Sequence, residues 1–186
     1  GDVTFHGPGQ LVGYPIFDLH GFPNTGASSL KYLGAVDYVR KIEEVLIRTC
    51  LEYAVPTKRI QGLTGVWTDW QSGPPDAKIA AIGVHISRSV TSHGFAFNIN
   101  TDLDYFKLIV PCGISDKPVT SLSRELDRPF DLDEVAQRVS RNFGRVFDRQ
   151  MLPANTVDEL LGRALDTPVE APRKLRAIHG DESTFA

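Results

Sequence analysis

Apolar and polar residues alternate most regularly between Lys78 and Asn100. Ile79–Ser87 and Val90–Asn100 read as two strands of one hairpin, bounded by polar and turn-forming residues. His85, between Val84 and Ile86, falls on the polar face, and Ser92-His93-Gly94 reads as a turn. Upstream, Leu30, Leu33, Val36, Val39, Ile42, Val45, Leu46 and Cys50 recur at helical spacing, which predicts an amphipathic helix over Leu30–Tyr53. Ser28 or Ser29 is its expected cap. Cys50 lies on the apolar stripe as a core residue, and Arg40, Lys41, Glu43 and Glu44 form the solvated face. Leu11–Leu19 and Thr64–Trp70 are strand-like, with Trp67 expected in the core and Gln71–Asp76 as a tight loop. Asp102–Asp104 opens a short helix.

Ser121–Pro129 is polar and punctuated. Asp131 is a good N-cap with Glu134 in the capping-box position, before a helical stripe of Val135, Val139, Val146 and Phe147 that ends near Asp148. Arg138, Arg141, Arg145 and Arg149 fall near one face, read as solvated, or more sharply as a docking surface for an acidic partner. Thr156–Leu165 suggests a last short helix, and 166–186 a flexible tail without a core role. The organisation expected is one catalytic-sized domain over 1–165, of α/β (α+β) class, with a mixed, largely antiparallel sheet packed by helices.

Composition narrows the function little. A chain of 186 residues with 41% apolar and 23% charged residues is ordinary for a globular domain, and a net charge of −3 does not suggest nucleic-acid or anionic-membrane binding. No apolar run reaches the roughly 18 residues of a membrane span. Two distant cysteines make no disulfide framework and fit a reducing compartment. The spacing of His, Cys and carboxylates matches no metal motif, and neither a P-loop nor a Gly-x-Ser-x-Gly elbow is present. No metal and no cofactor is expected.

The candidate chemistry lies at the ends of the central hairpin. Lys78 heads the first apolar run, and Cys112 follows the second within Pro111-Cys112-Gly113. A nearby ammonium favours the thiolate, and a neutral lysine can carry protons to entering and leaving groups. Pro111 fixes the backbone before the thiol, and Gly113 allows close approach after it.

Four ordered blocks, TFHGPGQLVGYP, KIAAIGV, VTSHGFAFNINTDLDYF and PCGI, resemble the lipoyl(octanoyl) transferases over residues 1–125. The family's first motif begins Arg-Gly-Gly, and Gly1 matches its second glycine, so the chain is expected to lack an N-terminal part and to fold poorly alone. The resemblance implies the fold of the biotin and lipoate protein ligases. It also implies transfer of an octanoyl group from octanoyl-acyl carrier protein to a lysine of lipoyl domains, through a thioester on Cys112 with Lys78 as proton carrier. The acceptors implied are the lipoyl domains of 2-oxoacid dehydrogenase complexes and the glycine cleavage H protein. Implied substrate-binding residues are Gly1, Asp2, Val3, Thr4, Phe5, His6, Ala81, Ile82, Gly83, His93, Gly94, Phe95 and Ala96, with Phe5, Phe95 and Tyr14 lining an acyl channel. The expected setting is a monomer in the cytoplasm, or in mitochondria for a eukaryotic source. ATP-dependent ligation on the same fold, or a non-catalytic acyl- or lipoyl-domain-binding fragment, are the alternatives; Cys112 distinguishes the transferase from the ligase.

Overall fold

A computed structural model describes residues 4–23, 31–71, 73–108, 117–154, 156–157, 159 and, for the backbone alone, 182–185. The strands are β1 (Gln10–Gly13), β2 (Thr57–Ile60), β3 (Leu63–Thr68), β4 (Lys78–Ser87), β5 (Val90–Asn98) and β6 (Glu182–Phe185). The helices are α1 (Ala35–Glu52), α2 (Leu122–Leu126) and α3 (Leu132–Phe147). The sheet runs β1-β5-β4-β3-β2, and every strand pair is antiparallel. The parallel component among the described residues is one isolated bridge, Lys78 to Val119.

The central hairpin forms as its alternation predicts. Arg88 and Ser89 close it with φ of 49° and 64°, the two positive values of a type I′ turn. Arginine tolerates that region poorly, so Arg88→Asn is expected to stabilise the fold by about 0.5–1 kcal/mol. A shift of the urea midpoint to higher concentration at unchanged slope checks it.

One face of the sheet packs on α1 and α3. Ile82, Val84, Phe95 and Phe97 meet Ile42, Leu46, Val135, Val139 and Phe143 in one cluster. Helix α1 starts at Ala35, not Leu30, with Gly34 as its cap and no side-chain capping bond. Residues 24–30, with the serines expected to cap it, lie outside the described residues. Leu33 does join the core, but on extended backbone: its N–H donates to Phe22 O at 2.9 Å. Leu11–Leu19 is a strand only to Gly13. Beyond it backbone and side chains both hold the chain: Thr91 N donates to Phe17 O at 2.9 Å and Leu19 N to Ser89 O at 2.8 Å, and Pro15 O accepts from Tyr38 Oη at 2.7 Å and from Thr91 Oγ1 at 2.9 Å.

Helix α3 ends where the stripe predicts. Asp131 caps it through Asp133 N at 2.9 Å, but Glu134 does not complete a capping box and binds Arg138 instead. The arginine row is largely solvated, as expected, with the Arg141 and Arg145 side chains 51% and 60% exposed, while it also makes contacts within the fold. Arg138, Arg141 and Arg145 converge on Glu52 of α1, and Arg149 stacks on Phe22. Burial works against the Glu52 charge, but hydrogen bonds from Asn142 and Arg141 hold its carboxyl below the usual carboxylate range. Glu43 is not solvated either. It is fully buried, accepts from Gly65 N at 3.2 Å and pairs with Arg40 at 2.7 Å and Arg59 at 3.0 Å.

Cys50 is core, as its position on the stripe implies, and burial pushes its thiol up to about 12; burial does the same to the Tyr38 phenol. Both stay neutral in the fold while the unfolded chain ionises from its ordinary values of 9.0 and 10.0. Their stabilising contribution is complete below the lower value and is lost as pH rises toward 12. Urea midpoints are therefore expected to fall from about pH 9 upward, and Cys50→Val to flatten that fall.

Neither β2, joined to β3 through Gln61-Gly62, nor α2, capped by Ser121, has a clear signal in sequence. Thr156–Leu165 lies mostly outside the described residues, as does 166–181. Residues 182–185, within the segment expected to be a tail, pair with β4 from Val84 to Ser87.

Candidate active site

The position of Lys78 depends on an irregularity. Val66 and Trp67 are adjacent on β3, yet they pair with Ala80 and Lys78, so β4 carries one extra residue there, a β-bulge. Ile79 and Ala80 consequently both enter the helix-side core. Lys78 turns to the opposite face of the sheet, where Ala81, Ala96 and Asn98 also lie. Gly65, at φ +127°, sits beside the bulge; a Cβ there would stand 2.7 Å from Ala80 O, so a side chain would push β3 away from it.

Trp67 is 1% exposed and so buried as expected, though outside the helix-side cluster. The Lys78 ammonium lies 4.8 Å from its ring centroid and that of Lys117 lies 5.8 Å away, both within cation–π range. The backbone fixes Lys78 as well: its N–H donates to Pro118 O at 2.8 Å, and its carbonyl accepts from Thr120 N at 2.9 Å. The segment that follows Cys112 in sequence is therefore tied directly to Lys78. Cys112 itself, with Pro111 and Gly113, lies outside the described residues, as do Gly1, Asp2 and Val3.

Lys78, Thr4, Ala81 and Ala96 meet around a narrow cavity of about 20 Å³, together with Gln10, Asn98, Phe106 and Val119. Phe5 lies near it, stacked on Tyr105 at 4.9 Å and edge-on to Phe106 at 5.4 Å. Ala81–Gly83 fall between two ladders, since β3 registers with Lys78 and Ala80 while β6 registers with Val84–Ser87. Gly83 is exposed and has no atom within 4 Å of where a Cβ would be. Gly94 is glycine for a different reason: a Cβ would stand 2.2 Å from Gly13 O, and β1 packs against it there.

Other expected site residues lie elsewhere. Ile82 and Phe95 point into the helix-side core, with Phe95 stacked on Phe143 at 6.0 Å. Tyr14 is 58% exposed, edge-on to His93 at 6.0 Å. His93 is no turn residue: it pairs with Val84 inside β5, exposed and at φ +59°.

A polar chain runs along the cavity wall. His6 Nδ1 meets Gln10 Oε1 at 2.8 Å, Gln10 Nε2 donates to Asn98 Oδ1 at 2.9 Å, and Asn98 Nδ2 donates to Thr120 O at 2.9 Å. Gln10 and Asn98 were not singled out in sequence, although Asn98 signals itself as a polar residue on the face of Ala96 within an apolar strand. A wider groove of about 650 Å³ runs on the helical layer past Arg141, Arg145, Arg149 and Met151; it contains none of the residues around Lys78. Among the described residues, no three His, Cys, Asp or Glu side chains gather to hold a metal, and no helix is long and apolar enough to cross a membrane.

This sheet and its one-sided helical layer are shared with protein-modifying ligases. The structure resembles a bipartite lipoate protein ligase from Thermoplasma acidophilum at TM-score 0.62 and 15% identity, over 86% of this chain and 60% of that one. The model of the lipoyl protein ligase A/B catalytic domain matches residues 1–144. An octanoyltransferase of Koribacter versatilis is 58% identical over 98% of this chain and 68% of its own length. One from Acidobacterium capsulatum is 56% identical over 87% of this chain and 65% of its own length. The chain thus spans about two thirds of these relatives. It belongs to the octanoyltransferase family, enzymes built on the lipoyl protein ligase A/B catalytic domain.

Proposed function

We propose that this chain transfers an octanoyl group from octanoyl-acyl carrier protein to the target lysine of lipoyl domains, with Cys112 as the covalent carrier. The observation that carries the reading is the bulge that turns Lys78 out of the core and onto the wall of the cavity shared with Thr4, Ala81 and Ala96. The Lys78 backbone is tied by hydrogen bonds to the segment following Cys112, and an ammonium at that point would favour a thiolate on Cys112.

The thiolate attacks the carbonyl of the donor thioester. The donor's C–S bond breaks, its thiolate takes a proton from Lys78, and octanoyl-Cys112 remains. Backbone N–H groups of Ala81–Gly83, between the ladders to β3 and β6, are suited to hold the developing oxyanion. In the second half the deprotonated amine of the acceptor lysine attacks the octanoyl-Cys112 carbonyl. A C–N bond forms, the C–S bond to Cys112 breaks, and the released amine proton passes through Lys78 to the sulfur. The thioester already stores the energy of the amide, so no ATP is needed. The acceptors are the lipoyl domains of 2-oxoacid dehydrogenase complexes and the glycine cleavage H protein, and the enzyme acts as a cytoplasmic monomer.

The test is intact-mass spectrometry. Mixed with octanoyl-acyl carrier protein, the chain is expected to gain one octanoyl group at Cys112 and to lose it to an added apo lipoyl domain. Absence of the adduct overturns the covalent reading.

A further inference from the structure

The polar chain on the cavity wall has a direction, and the direction ends on His6. Thr120 O and Phe5 O are backbone carbonyls and can only accept. Asn98 must therefore turn its Nδ2 to Thr120 O at 2.9 Å, which leaves its Oδ1 facing Gln10. Gln10 in turn directs Nε2 at that oxygen, at 2.9 Å, and at Phe5 O, at 3.3 Å. Its Oε1, which can only accept, is left for His6 Nδ1 at 2.8 Å. In the neutral ring Nδ1 then carries the hydrogen and Nε2 the lone pair. Asn98 is 4% exposed and Thr120 2%, so reversing the Asn98 amide would face carbonyl against carbonyl without water to relieve it. His6 itself is exposed.

We infer that Gln10 and Asn98 are positioning residues that hold His6 as the Nδ1–H tautomer, so that Nε2 accepts the first proton of the incoming lysine ammonium. This rests on the acyl-transfer reading above. An alkylammonium has no lone pair and cannot attack the thioester. Its N–H proton passes to His6 Nε2, giving imidazolium and free amine, and the imidazolium returns that proton to solvent. The amine then attacks octanoyl-Cys112, and its second proton leaves through Lys78 to the sulfur. His6 has no part in acylation of Cys112, where no amine is present, so its effect is confined to the second half-reaction.

The experiment pairs a spectroscopic readout with a kinetic one. Nitrogen-15 NMR of the imidazoles, with His6 assigned by its loss in His6→Asn, is expected to show the Nδ1–H form in the wild-type chain. Gln10→Met keeps the shape but offers no acceptor, and should release His6 to the Nε2–H form preferred by free imidazole. It should slow aminolysis of octanoyl-Cys112 by about 10- to 100-fold, well beyond any effect on its formation. A wild-type Nε2–H tautomer overturns the inference without any variant having to fold. So does Gln10→Met that forms the adduct and transfers it at the wild-type rate. A wild-type chain that forms no adduct overturns the acyl-transfer reading instead, whatever the tautomer.

Discussion

Cys112→Ser is expected to lower octanoyl transfer by at least about 10³-fold while leaving the melting temperature within a degree or two of wild type. Serine is nearly isosteric with cysteine, but its hydroxyl stays protonated near neutral pH and an adjacent ammonium cannot change that usefully. The thiol differs because a modest electrostatic bias gives a large thiolate fraction. Transfer to an apo lipoyl domain, followed by mass, is the measurement. Wild-type turnover in Cys112→Ser would sink the covalent mechanism. Cys50 supplies the internal control: it is fully buried with its thiol pushed up to about 12, so Cys50→Ser should cost stability and spare the chemistry.

Lys78→Met is expected to lower both half-reactions by about 10²-fold or more, since in the proposed mechanism it removes the proton carrier and the cation that favours the thiolate together. Methionine still covers the Trp67 ring through a sulfur–aromatic contact, so the fold should survive. The decisive measurement is the rate of Cys112 alkylation by iodoacetamide against pH. The buried Cys50 does not compete in the folded chain, so the profile reports one thiol. Its midpoint should move up toward the ordinary thiol value of about 8.5. Lys117→Met is the comparator, because its ammonium shares the ring at 5.8 Å without lining the cavity. An unmoved midpoint in Lys78→Met would reduce Lys78 to a structural role.

Lys78 illustrates what the sequence could and could not reveal. Its residue type and its place at the head of β4 were legible, but its facing was not. Strict alternation puts Lys78 with Ala80 and Ile82, on the core face, and only the pairing with β3 exposes the extra residue. The main helices were legible because cap and stripe agree: Asp131 and the face of Val135, Val139 and Phe147 define α3. Glu43 was misread although its spacing carried the signal, since it lies four residues after Val39 and three before Leu46 on the buried face of α1. Charge outweighed position in that reading, and the partners that make burial possible, Arg59 and Gly65 N, come from the next strands. Strand β6 gave no signal because a four-residue strand is held by backbone pairing, which composition does not encode. The Gln10–Asn98 contact was out of reach for a related reason: it joins residues 88 positions apart.

That separation bears on how the molecule assembles. The β3, β4 and β5 segments follow one another through turns and a short loop, and they can zip together early because little chain must be closed. β1 reaches its place against β5 only after the whole length between them, α1 included, has been brought round. The cavity wall needs Thr4 and Gln10 from that distant segment and Val119 from beyond β5. A chain with its central meander formed and α1 docked would already bury Trp67 and much of its apolar surface, yet would still lack one wall of the site. Catalytic competence therefore waits on a long-range loop closure, and it should lag behind compaction during refolding.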